Sequence, residues 1–132
     1  MRGLLIRAMF GATVLVACKS AARPDCVCTT SFLSIVVTVV DTAGAPVPSL
    51  SPTITVRSTG RLLVPAAPAI GQGWYPVVSD GDMNQFALDG DTLHFAVSSP
   101  PRSAAGDFVV DAPGPCRCHI HLVAGPDTLV LR

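Results

Sequence analysis

Glutamate is absent from the chain: all nine acidic residues are Asp, and Lys19 is the one lysine. The residues that favour exposed helices are therefore almost missing, and 12 Pro and 11 Gly interrupt what remains. That excludes a mainly helical protein. Aromatic residues make up only 5% of the chain, so any core must be built largely from aliphatic side chains. Charge of one sign is also lacking. Nine acids face nine bases, which leaves no electrostatic footprint for nucleic acid. No Gly-x-Ser-x-Gly elbow, His-Glu-x-x-His pair or phosphate loop occurs, so no catalytic residue is nominated and the chain is read as a non-enzyme. An EF-hand is excluded with glutamate, because its loop ends on a bidentate Glu. No run after Cys18 is long and apolar enough to span a membrane.

What is present is dense in Val and Thr, which favour strands. Ser31 to Val40 is the first strand, and its β-branched density predicts a central position. Thr53 to Arg57 follows, with Ile54 and Val56 on one face, and Leu62 to Val64 starts a third strand. Trp74 to Val78 comes after Gly71 and Gly73. Gln85 to Leu88 and Thr92 to Ser98 flank Asp89-Gly90-Asp91 and read as a hairpin, with Leu93, Phe95 and Val97 inward and His94 outward. Pro100-Pro101 ends it; Asp107 to Val110, Cys116 to Val123 and Thr128 to Leu131 complete the set. About seven or eight short strands with regular turn signals predict an all-β, single Greek-key β-sandwich. Trp74 is expected in its core, although an exposed Trp74-Tyr75 pair could stack on a sugar or a partner.

At the N-terminus, Arg2 and Arg7 precede an apolar run from Ala8 to Ala17. At ~1.5 Å per residue this run covers about half a bilayer core, which suits a signal peptide and not a membrane span. Leu15-Val16-Ala17-Cys18 resembles the lipobox of bacterial lipoproteins. The resemblance implies cleavage before Cys18, acylation of Cys18 and attachment to the membrane through that lipid. Residues 1–17 are then the signal peptide, 18–25 the lipidated N-terminus and tether, and 26–132 the folded domain. The resemblance also implies a lean toward the outer membrane within the cell envelope, since Lys19 stands where an Asp favours inner-membrane retention in such lipoproteins.

The stretch VVTVVDTAGAPVPS…TITV, Val36 to Val56, is similar to the opening of carboxypeptidase regulatory-like domains, which are transthyretin-like and Ig-like sandwiches. Asp41, Gly44, Pro46 and Val47 occupy the strand–turn–strand positions, Ala104 to Phe108 are a loose counterpart of the later pattern, and Cys118 to Leu131 resemble the closing strands of small bacterial lipoproteins with this domain. The resemblance implies a stalk, accessory or adhesive module with a structural or binding role, no cofactor, and an envelope protein or glycan as possible partner.

Four cysteines besides Cys18 form two Cys-x-Cys pairs, Cys26/Cys28 and Cys116/Cys118. In an oxidising compartment they predict two disulfides. Cys26–Cys118 with Cys28–Cys116 follows if the segments run antiparallel, and the crossed set if they run parallel. The alternative is a Zn or Cu site drawn from Cys26, Cys28, Cys116, Cys118, His119 and His121, with His94 as a further ligand of a surface histidine site. Strand alternation would put Cys116 and Cys118 on the core face and His119 and His121 outside. The turns Asp80-Gly81-Asp82 and Asp89-Gly90-Asp91 read as hairpin turns, with Ca²⁺ binding as the alternative.

Overall fold

A computed structural model describes residues 25–67 and 71–132. The leader, Cys18 and most of the tether lie outside the described residues. Among the described residues eight strands run in order: β1 (Ser34–Val40), β2 (Thr53–Val56), β3 (Leu62–Leu63), β4 (Trp74–Ser79), β5 (Asp91–Ser99), β6 (Arg102–Asp111), β7 (His121–Ala124) and β8 (Thr128–Val130). They form a three-stranded sheet, β4-β1-β8, and a five-stranded sheet, β3-β2-β5-β6-β7. The protein is an all-β sandwich. β1 is central in its sheet, antiparallel to β4 and parallel to β8.

The core lies between the sheets and follows period-two alternation. Val37 and Val39 of β1, Ile54 and Val56 of β2, Leu93, Phe95 and Val97 of β5, and Phe108 and Val110 of β6 all point inward and are buried. Phe95 and Phe108 meet edge to face with centroids 6.2 Å apart. Gly106 lies opposite Phe95 in the β5–β6 register. A Cβ there would stand 2.9 Å from Pro126 and 3.0 Å from Leu129, so the missing side chain lets the segment leading into β8 pack on β6.

The turn after β1 takes the form its sequence implies. Asp41 Oδ1 accepts from the amides of Ala43 and Ala45, both at 2.9 Å, and Gly44 adopts φ +83°. The chain then passes over the sandwich edge and is held by Tyr75, whose hydroxyl donates to Val47 O at 2.6 Å and accepts from Leu50 N at 3.0 Å.

Several expectations are corrected. The long hairpin is β5–β6, closed by Pro100 and Pro101, so the prolines form the turn instead of ending the sheet. Gln85 to Leu88 is not a strand; it is the loop that leads to β5. Trp74 is 51% exposed and Tyr75 is buried. Register decides this: Tyr75 pairs with inward Val37, and Trp74 with outward Thr38. The last cysteine pair precedes β7 and does not lie in it. Arg117 sits at φ +45°, which breaks the alternation expected from Cys116 to Val123.

Candidate functional site

The chemically loaded residues gather where the arm from Cys26 to Leu33 enters β1. Two disulfides hold it there, Cys26–Cys116 and Cys28–Cys118. This is the crossed set, so the Cys26–Cys118 and Cys28–Cys116 pairing is corrected. The bonded residues are 90 apart in both cases, so the two segments lie alongside each other in the same direction. Cys116 and Cys118 are half-buried under the arm and do not face the core.

A second set of contacts lies beside the disulfides. Nδ1 of His119 is 2.7 Å from Asp80 Oδ2, and its Nε2 is 2.7 Å from the Thr29 hydroxyl oxygen. The carboxylate only accepts, so Nδ1 donates to Asp80; in the neutral imidazole Nε2 is then the acceptor for the Thr29 hydroxyl. Asp80 also accepts from the Leu33 amide at 2.9 Å and the Ile120 amide at 2.8 Å. One carboxylate therefore ties the arm (Leu33), the β4 end (Asp80 itself) and the segment before β7 (His119, Ile120). Its side chain is 9% exposed. Burial pushes the Asp80 carboxyl up, but the donors from His119, Ile120 and Leu33 outweigh it and hold the group below its ordinary value.

Hydroxyl, imidazole and carboxylate stand here in the order used by acyl-transfer triads. The chain closes on itself, however: the hydroxyl comes from the stapled arm, and every member bridges two segments. The two cavities described lie elsewhere, one around Ala96, Ser98, Ser103 and Ala105, the other around Ile54 and Leu63. The arrangement is a clasp. Sequence reasoning missed it because Thr29, Asp80 and His119 are far apart in the chain and no local pattern links them.

Each histidine has its own aspartate. His94 Nδ1 is 2.6 Å from Asp107, His119 Nδ1 is 2.7 Å from Asp80, and His121 Nδ1 is 3.0 Å from Asp111. They do not converge. With Cys26, Cys28, Cys116 and Cys118 in disulfides, the ligand set of those four with His119 and His121 is not assembled. Among the described residues no group of three or more His, Cys, Asp or Glu is placed to hold a metal ion.

The Asp-Gly-Asp segments bind the chain to itself. Asp80 to Asp82 is a short 3₁₀ turn. Asp82, fully buried, accepts from the Ser79 amide and hydroxyl, the Ala66 amide and the Gln85 side chain at 2.7–3.1 Å. Asp91 accepts from the Ser58 hydroxyl at 2.6 Å, the Thr92 amide at 2.8 Å and the Ala87 amide at 3.1 Å. Burial pushes the Asp91 carboxyl up, and these donors pull it below its ordinary value. Carboxylates surrounded by donors this way have their lone pairs engaged, so the Ca²⁺ alternative is not supported by either turn. Asp89, the exposed member, pairs with Arg117.

Comparison with family models, curated proteins and solved structures finds no match to this chain.

Proposed function

We propose that this chain is a lipid-anchored, non-catalytic β-sandwich module of the cell envelope, Ig-like or transthyretin-like, with a structural or binding role. The lipobox-like Leu15 to Cys18 and the Asp41 to Val47 turn motivate the class, and the clasp is the observation that carries the role. Two disulfides and one half-buried carboxylate immobilise the segment that directly follows the tether. A domain hung from a lipid needs a firm joint at that place, since fraying there would propagate into β1, the central strand of its sheet. The polar groups of the clasp are spent on each other and not presented to a substrate. The partner we infer is an envelope protein or a glycan, bound through loops or a sheet edge.

The test is to express the full chain in a diderm bacterium beside a Cys18→Ser variant. The expected outcome is a diacyl or triacyl mass on Cys18, protein in the outer-membrane fraction, and release of the variant into the periplasm. Activity on envelope esters or glycans that His119→Ala abolishes would overturn the non-catalytic reading. An unacylated chain would overturn the anchor.

A further inference from the structure

The outer face of the three-stranded sheet has no part in the clasp. Val37 and Val39 point into the core, so alternation places Val36, Thr38 and Val40 on the opposite face of β1. Trp74 of β4 and Thr128 of β8 pair with Thr38 from either side, and Val130 pairs with Val40. The result is a row across all three strands, Trp74–Thr38–Thr128, bordered by Val36 and by the Val40–Val130 pair. None of these six residues is charged. Trp74 is 51% exposed, Val36 39% and Val130 36%. Phe32, in the arm two residues ahead of β1, is 60% exposed. The outer face of the other sheet differs: it carries Arg57, His94 and Asp107, with Asp107 held by both neighbours. That face carries charge beside the exposed Leu62, whereas the row on the three-stranded sheet is uncharged and partly apolar, with an exposed indole.

The anchor identifies what would cover the apolar face, and the argument rests on the lipidation of Cys18 proposed above. From Cys18 to the first stapled residue, Cys26, is eight residue steps, at most ~28 Å when extended. From Ser34 to Val40, the length of β1, is another six steps, about 20 Å of strand. The anchored chain therefore keeps the whole outer face of β1 within reach of the lipid surface. We propose that this face rests on the bilayer, with Trp74 at the headgroup level and Phe32, Val36 and Val130 entering the interface. Tryptophan is suited to that layer, being apolar with one donor. Tethering raises the local concentration of membrane seen by the face, so a few shallow side chains suffice.

Trp74 is the only tryptophan, so its fluorescence reports this face alone. Mature acylated protein would be reconstituted into phosphatidylethanolamine/phosphatidylglycerol vesicles, with and without brominated acyl chains. The expected result is a blue shift of emission and quenching by the bromines, both lost in a Phe32→Ser/Val36→Ser/Val130→Ser variant whose melting curve shows that it folds. Flotation and intact mass read the anchor separately. If the protein floats and carries acyl chains but Trp74 emits as in water and is not quenched, the docking face is overturned and the anchor stands. Quenching that survives the triple substitution also overturns it, as does a concentration-dependent blue shift of soluble Cys18→Ser protein without lipid, which would mean that a second copy covers the face.

Discussion

Replacing Asp80 with Ala tests the clasp most directly. The substitution removes acceptors for the Leu33 amide, the Ile120 amide and His119 Nδ1, now at 2.9, 2.8 and 2.7 Å. Hydrogen bonds to a charged group contribute about 1.5–3 kcal/mol each, but the three share one carboxylate and do not add. The disulfides also keep the arm nearby, and solvent can reach part of what is vacated. A loss of roughly 2–4 kcal/mol follows, which for a domain of this size lowers Tm by about 10–25 °C. The variant should be melted with both disulfides intact, beside Asp80→Asn, which keeps one acceptor and should lose less. Amide hydrogen exchange adds the local view: Leu33 and Ile120 should lose protection while the β5–β6 amides keep theirs relative to global stability. An Asp80→Ala protein with unchanged Tm and protected Leu33 and Ile120 amides would refute the clasp.

Acid should weaken the same site. Asp80 and Asp91 titrate below the ordinary carboxylate value in the folded protein, so the unfolded chain binds more protons between the two values. Their stabilisation is complete above about pH 5 and is lost as pH falls through the folded values; urea midpoints from pH 7 to pH 2 should decline over that acid range, and less so in Asp80→Asn. Reduction should cost stability unequally. The first bridge, closing a loop of 90 residues, contributes on the order of 4–5 kcal/mol in the chain-entropy model, and the second adds much less because the ends are already together. Single and double Cys→Ala pairs measured by denaturant unfolding give the split, and partial reduction with alkylation should recover Cys26–Cys116 and Cys28–Cys118. Gly106→Ala pushes a methyl into Pro126 and Leu129 and should destabilise by about 1–3 kcal/mol in a thermal melt. Tyr75→Phe removes the bond to Val47 O and the acceptor for Leu50 N, for about 1–2 kcal/mol, with faster exchange at Leu50.

Short-range pattern was enough for much of the fold. The absence of Glu, the near-absence of Lys and the Val-rich runs pointed to strands, because two common formers of exposed helices are almost missing while β-branched residues abound. Leu93, Phe95 and Val97 announced the inward face of β5, since side-chain direction in a strand depends only on parity. Asp41 and Gly44 specified their turn, one by accepting local amides and the other by entering positive φ. The cysteine count and spacing also pointed to two disulfides.

Tertiary structure decided whatever depended on how distant segments meet. Parity could not say which of Trp74 and Tyr75 faces the core; pairing with β1 made Tyr75 buried and Trp74 exposed. Spacing left the disulfide pairing open, because it turns on whether the arm runs with or against residues 116–118. Asp80, Asp82 and Asp91 were legible only as turn residues, since some of their donors come from distant segments: Leu33, His119 and Ile120 for Asp80, Ala66 for Asp82 and Ser58 for Asp91. The clasp has no signature in the chain: Thr29, Asp80 and His119 become a unit only when the arm, the end of β4 and the segment before β7 are packed together. Likewise, the uncharged face exists only because register aligns residues of β4, β1 and β8 in one row.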